Sequence, residues 1–92
     1  MIADDGRRRA RNLMHLHLMR RLVERGVPLD YADIVALEQR IERMRASFER
    51  PGATRYRLRL KYGRSRRIRV VYDIEYRCLL TAWLRPPEQR SV

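Results

Sequence analysis

His17 has neighbours that would let it move a proton at a phosphate group. It lies on the polar face of a predicted helix, with Arg21 one turn and Glu24 two turns further along the chain. A neutral imidazole can accept a proton from a ribose 2′-hydroxyl, and an arginine can stabilise the charge that develops on the neighbouring phosphate. His17 and Arg21 are therefore candidate catalytic residues for metal-independent cleavage of RNA. The alternative interpretation is a solvent-exposed histidine beside an arginine, with no catalytic role.

The remaining titratable residues predict neither a metal site nor a cofactor. His15 and His17 are two positions apart, so their rings diverge by about 160° on a helix and cannot share a metal ion. No group of Cys, His and Asp residues has the spacing of zinc ligands, and the chain has no glycine-rich phosphate loop. Cys78, the single cysteine, is interpreted as a small buried strand residue, and Glu38 as a partner in helix salt bridges.

The charge of the chain indicates a polyanionic partner. Its 92 residues include 22 Lys and Arg but 11 Asp and Glu, which gives a net charge of +11. Residues 1–50 hold 11 basic and 8 acidic groups, a net of +3, whereas residues 51–92 hold 11 basic and 3 acidic groups, a net of +8. This balance excludes an acidic binding module. It favours RNA, DNA or an acidic protein as the partner.

The basic residues of the second half follow the period of a β-strand. Between residues 55 and 62 basic side chains alternate with apolar or aromatic ones, and segment 67–73 continues the pattern, so Arg57 and Arg59 would stand beside Arg67 and Arg69. Like charges opposite each other destabilise a sheet, so a counter-charge is expected on this face. The paired N–H donors of arginine match the geometry of a phosphate group. The alternative is that these side chains only solvate an outer sheet face, with their stems over apolar surface. We predict a nucleic-acid-binding face of six residues: Arg55, Arg57, Arg59, Lys61, Arg67 and Arg69.

The candidate residues are positioned by two predicted helices and three predicted strands. Segment 10–25 predicts a helix that ends at Gly26, with His15 inside its apolar arc as a packed or interface residue. The arc is broad enough for this helix to pair with a second copy of the chain. It is formed by Leu16, Leu18, Met19, Leu22 and Val23.

The second predicted helix runs from Tyr31 to about Glu49. Asp30 is its expected N-cap, and Asp33 three residues later completes a weak capping box. An apolar stripe at helical spacing is expected to pack in the core. It consists of Ile34, Leu37, Ile41, Met44 and Phe48.

The order of elements predicts an α+β fold, with two N-terminal helices packed on one face of a three-stranded antiparallel meander sheet. The third strand, 78–84, is apolar throughout, so we expect it to be central or covered on both faces. One domain, 10–85, would carry a flexible basic arm, 1–9, and a short C-terminal tail, 86–92. No apolar run reaches the roughly 18 residues of a membrane span, and a cytoplasmic protein is expected.

The stretch from His17 to Val27 resembles the HxxxRxxERG(I/V) signature of a family of small bacterial domains of unassigned function. The later segments Arg67-Ile68-Arg69-Val70-Val71-Tyr72 and Thr81-Ala82-Trp83 resemble that family's last two strands. The family is similar to the barnase–EndoU–colicin–RelE (BECR) superfamily of ribonuclease toxins. The resemblance implies RNA cleavage, with His17, Arg21 and Thr81 at the site and Arg57 and Arg69 as phosphate contacts.

Three hypotheses follow for the function. The first is a ribonuclease toxin, a hydrolase of RNA in which Tyr72 or Trp83 stacks on a base and an acidic antitoxin or immunity protein covers the basic face. The second is a nucleic-acid-binding protein of a phage or mobile element that does not cleave. The third is an interaction module whose basic face docks an acidic protein partner, for example as an inhibitor.

Overall fold

The computed structural model describes the backbone of residues 2–62 and 66–84 as helices followed by a sheet. The helices are α1 (Ile2–Glu24), α2 (Tyr31–Arg43) and α3 (Arg45–Phe48). The strands β1 (Arg55–Tyr62), β2 (Arg66–Asp73) and β3 (Cys78–Leu84) form an antiparallel sheet in the order β1-β2-β3. The predicted α+β class, with helices before an antiparallel meander, is confirmed. The predicted turn at 63–65 and the predicted tail at 86–92 lie outside the described residues.

Helix α1 is longer than the sequence pattern indicated. It begins at Ile2 rather than at residue 10, so the segment expected as a flexible arm is helical from residue 2 onward. No proline interrupts residues 2–24, and residues 7–11 are arginines and an alanine, which are strong helix formers. Of the helices in the described ranges, none combines the length and the apolar character needed to cross a membrane.

Gly26 ends α1, as predicted, in a Schellman motif. The Val27 N–H donates to the Leu22 carbonyl at 2.9 Å, and the Gly26 N–H donates to the Val23 carbonyl at 3.1 Å. This geometry requires a left-handed residue after the helix, and Gly26 has φ of 65°. The motif fixes the position of Arg25, the last residue before the glycine.

Helix α2 begins at the predicted capping box but ends earlier than predicted. The Asp30 carboxylate accepts from the Asp33 N–H at 2.8 Å, and the Asp33 carboxylate accepts from the Asp30 N–H at 3.0 Å. At Met44 the backbone leaves the helical region, with φ of −100° and ψ of 11°, which separates α2 from the short α3. Met44 is 36% exposed, so its predicted place in the core stripe is wrong. Phe48 packs against the core.

The two helices cover one face of the sheet and form the core with it. Leu18 and Leu22 are buried there, but Leu16 and Val23 of the predicted arc are 67% and 79% exposed. They point away from the sheet because the buried side of α1 is centred on Leu18 and Leu22. The predicted apolar arc was therefore too broad, since it included Leu16 and Val23. The buried core cluster consists of Leu18, Leu22, Val27, Leu29, Ile34, Leu37, Ile41, Leu60, Ile68, Val70, Tyr72, Leu79 and Ala82.

Strand β3 lies at an edge of the sheet, and β2 is the central strand. Helix α1 packs against β3, and Cys78, Leu79 and Ala82 are completely buried. The register between β2 and β3 shifts, because Val71 pairs with Thr81 whereas Tyr72 pairs with Leu79. One extra residue of β3, Leu80, therefore bulges out of the ladder beside α1.

Candidate nucleic-acid interface

A groove of about 520 Å³ lies between α1 and the face of the sheet opposite the core, which we call the outer face. It contains the three predicted catalytic residues, which come from distant parts of the chain. None of the described residues that line it is acidic, so the groove suits an anion. Its lining consists of Leu13, Met14, His17, Arg21, Arg25, Arg55, Leu80 and Thr81.

His17 and Arg21 are in direct contact in the groove. They lie one helical turn apart, and Arg21 Nε donates to His17 Nε2 at 3.1 Å. Because an arginine can only donate, His17 must present an unprotonated Nε2 in this arrangement. A phosphate that drew Arg21 away would leave the lone pair of His17 Nε2 free to accept a proton. Both side chains are exposed, so a substrate can reach them.

Thr81 lies in the groove beside the bulge of β3, and Arg25 binds its hydroxyl group. Arg25 Nη1 donates to Thr81 Oγ1 at 2.7 Å, and the Arg25 guanidinium lies 5.5 Å from the centre of the Trp83 ring. The prediction did not include Arg25. Its spacing from Arg21 repeats that of Arg21 from His17, four residues each, which places all three on one side of a helix.

Arg55, on the edge strand β1, also lines the groove. Its Nε lies 3.4 Å from Asp73 Oδ2, but the Arg55 side chain is 66% exposed while that of Asp73 is buried. Asp73 also accepts the N–H groups of Glu75 and Tyr76, which form the turn between β2 and β3. Part of the charge of Arg55 is therefore balanced, and its exposed end is still available to a ligand.

The other predicted basic residues lie on the outer face, as their alternation indicated. Arg59 pairs with Arg69, which pairs with Trp83 on the far strand. The remaining residues follow the same register: Arg57 pairs with Val71, and Lys61 pairs with Arg67. Of the six predicted basic residues, Arg55 alone takes part in an ion pair within the described part of the chain. Like charges therefore face each other across β1 and β2 without a carboxylate between them.

The predicted stacking role of Tyr72 is wrong, and that of Trp83 stays a prediction. The Tyr72 side chain is 1% exposed in the core, and its hydroxyl donates to Glu42. Tyr72 shares the face of Ile68 and Val70, so its ring cannot meet a base. Trp83 lies on the outer face and is half-buried under Arg25, which leaves part of its ring accessible.

His15 lies on the other side of α1, where it binds a buried carboxylate. His15 Nε2 donates to Glu38 Oε2 at 2.7 Å, and the Leu79 N–H donates to the same oxygen at 2.7 Å. The interpretation of His15 as a packed residue is confirmed, since it is 5% exposed. Glu38 was expected in helix salt bridges, but it is 3% exposed and its partners lie on α1 and β3. It joins three elements of the fold.

Cys78 has no nucleophilic character. Its side chain is completely buried, with Sγ 3.3 Å from Met14 Sδ. Burial, and after it the negative charge of Glu38, raises the pKa of the thiol to about 12. Among the described residues, no three His, Cys, Asp or Glu side chains are grouped so that they could hold a metal ion.

The chain was also compared with known proteins. Neither the protein-family models, nor the curated proteins, nor the solved structures gave a significant match to it.

Proposed function

We propose that the chain binds single-stranded RNA on the outer face of the sheet and cleaves it in the groove. The observation that supports this most strongly is that His17, Arg21 and Thr81 line one groove free of acidic side chains. His17 and Thr81 are separated by more than sixty positions, so their meeting depends on the fold. A proton acceptor, cationic donors and a hydroxyl beside one another are the groups that phosphodiester transesterification uses.

The reaction would begin when His17 Nε2 accepts the proton of a ribose 2′-hydroxyl. The 2′-oxygen then forms a bond to the adjacent phosphorus, and the bond from phosphorus to the 5′-oxygen breaks. The leaving oxygen takes a proton from water, which leaves one strand with a 2′,3′-cyclic phosphate and the other with a 5′-hydroxyl. Arg21 and Arg25 stabilise the extra negative charge on the phosphate in the transition state. This step uses no metal ion or other cofactor.

The outer face would hold the strand beyond the groove. Arg59 and Arg69 present guanidinium groups that can each bind a phosphate through two donors. Trp83 lies next to them at the end of β3 and offers a ring on which a base can stack. Binding to a phosphate would also relieve the repulsion between the paired arginines.

In a cell, we propose that the chain acts as a toxin-like ribonuclease of the BECR type in the cytoplasm. An acidic antitoxin or immunity protein would then neutralise it by covering the outer face. The exposed side of α1 away from the groove carries Leu16 and Val23, which are 67% and 79% exposed. Pairing of two chains through the helix segment 10–25 would cover these side chains.

A non-catalytic RNA-binding protein is the second candidate function. One observation favours it: of the described residues that line the groove, His17 alone has an imidazole and none has a carboxyl group, so that lining holds one general acid–base group and not two. Transesterification is fastest when one group accepts the 2′ proton and a second donates a proton to the leaving oxygen. A groove with a single such group could therefore bind RNA and cleave it slowly or not at all.

Incubation of the purified protein with total RNA tests the two functions against each other. Cleavage that yields 2′,3′-cyclic phosphate ends, and that His17→Ala lowers by about 10²–10⁴-fold, supports the proposal. Arg20→Gln is the matched control, because Arg20 is exposed on α1 and does not line the groove. Intact RNA together with salt-sensitive binding would favour the non-catalytic function. No binding at about 0.1 M salt would leave an acidic protein as the partner.

A further inference from the structure

A second basic pocket lies where the N-terminal half of α1 meets the turn between β2 and β3. It encloses about 450 Å³ and shares no lining residue with the groove. Four arginines and one carboxylate line it together with a tyrosine, so it carries a net positive charge. The residues are Arg7, Arg8, Arg11, Glu75, Tyr76 and Arg77.

Arg77 occupies a backbone position that an arginine seldom adopts. Its φ is 54°, in the left-handed region that glycine and asparagine adopt with less strain. A glycine at this position would therefore suit the turn better than the residue present. An arginine kept at a strained position beside a cluster of other arginines points to a role for its charge.

Among the described side chains, the arginines of this pocket have few acidic partners. Arg7, Arg8 and Arg77 form no ion pair among the side chains that the structure describes. Arg11 reaches Glu38 Oε1 through Nη2 at 3.3 Å, while its buried Nε has no acceptor within the described residues. An anion in the pocket would supply a counter-charge to Arg7, Arg8 and Arg77.

The position of the pocket relative to the groove is set by α1. Arg7, Met14 and Arg21 are spaced by seven residues, so they follow one another along the same side of the helix. Arg7 and Arg21 are separated by about 21 Å of helix axis. Between them lie Met14 and the exposed Leu13, which offer an apolar surface. An extended strand several nucleotides long can bridge the two cationic sites, whereas a dinucleotide cannot.

We propose that this pocket is a second phosphate-binding subsite for the RNA strand held in the groove, with Tyr76 available to stack on a base. The inference rests on the proposed function, because it requires that the groove binds the same strand. It predicts that affinity rises steeply once the strand is long enough to reach the pocket. Catalysis at His17 is not required for this subsite.

Binding of two RNA probes, with polyglutamate as a stand-in for an acidic protein, tests the subsite. A dinucleotide should occupy the groove alone, and a single strand of about ten nucleotides should occupy both sites. Arg77→Gly is the test variant, because it removes the charge and also the backbone strain, so it should fold with an equal or higher Tm. Arg20→Gln is the matched control, because it removes one positive charge from an exposed position of α1 that lines neither the groove nor the pocket, and Arg21→Gln reports on the groove.

We expect Arg77→Gly to weaken binding of the longer strand about tenfold and to leave dinucleotide binding unchanged. The slope of log affinity against log salt should fall by about 0.7, the value for one phosphate contact of a single strand. The subsite is refuted if Arg77→Gly binds the longer strand like the wild type while Arg21→Gln binds it more weakly. If Arg77→Gly loses affinity only for polyglutamate, the pocket serves an acidic protein and the inference is wrong. If the wild type binds neither probe, the proposed function fails first and the subsite fails with it.

Discussion

Glu38→Ala is expected to lower the free energy of unfolding by about 3–5 kcal/mol, because it leaves buried donors without an acceptor. Glu38 lies on α2, and its Oε2 accepts from His15 on α1 and from the Leu79 N–H on β3, both at 2.7 Å. Leu79 lies on the edge strand β3, and the Glu38 carboxylate is the acceptor of its N–H. Removing the carboxylate therefore leaves three elements of the fold without their common contact.

The magnitude follows from the burial of these groups. A buried N–H that loses its partner costs about 1–3 kcal/mol, and a broken buried pair with a charged group costs about 3–5 kcal/mol. A domain of this length has a total stability of about 5–14 kcal/mol. The change should therefore lower Tm by at least about 12 °C, since one kcal/mol shifts a domain of this size by about 4–8 °C.

Urea unfolding followed by circular dichroism measures this effect. Glu49→Ala is the matched control, because Glu49 pairs with Arg45 at the surface and its loss should cost less than about 1 kcal/mol. Glu38→Gln should fall between the two, since its amide oxygen can still accept one of the two N–H groups. The reasoning is refuted if Glu38→Ala and Glu49→Ala unfold at the same urea concentration.

Three further results are expected. Trp83→Leu should weaken binding of single-stranded RNA by about 1–3 kcal/mol. Tyr72→Phe, a change in the core, should leave the RNA affinity unchanged. Equal effects of the two variants in filter-binding assays would contradict the stacking role of Trp83. Burial alone would raise the pKa of Glu42, but hydrogen bonds from Tyr72 and Arg45 outweigh it and lower that pKa below its ordinary 4.5. A carboxyl group whose pKa is lowered by folding stabilises the protein above its ordinary pKa, and this stability is lost as pH falls. Glu42→Gln should therefore lose less stability in acid than the wild type. Parallel curves of stability against pH for the two proteins would argue against this. Cys78 should resist iodoacetamide at pH 8 until the protein unfolds, as followed by mass spectrometry, and rapid labelling of the native protein would contradict its burial.

The strands could be predicted from the sequence because each side chain's face follows from its position. The alternation of Arg57, Leu58, Arg59 and Leu60 requires one basic and one apolar face, and the observed register keeps it. The same rule places Tyr72 on the core face with Ile68 and Val70. The stacking role proposed for Tyr72 thus conflicted with the pattern that located the strands.

The partners of Glu38 could not be predicted, because they depend on how three separate elements pack. In the sequence, Glu38 is a carboxylate on a helix with arginines nearby, which is typical of a solvent-exposed residue. The contact between Glu38 and the Leu79 N–H has no signal in the sequence, because it depends on how α2 lies against β3. Arg25 was missed for a different reason, since its helical spacing was visible but its hydroxyl partner lies 56 positions away.

Cleavage of an oligonucleotide that contains a single ribonucleotide in an otherwise DNA strand tests the central claim most directly. The account predicts one cut, on the 3′ side of that ribonucleotide, with a 2′,3′-cyclic phosphate end and no cut in the all-DNA strand. His17→Ala should bind the same oligonucleotide with similar affinity and cleave it about 10²–10⁴-fold more slowly. If the wild type binds the strand but leaves it intact, or if His17→Ala cleaves it at the wild-type rate, His17 is not the catalytic base.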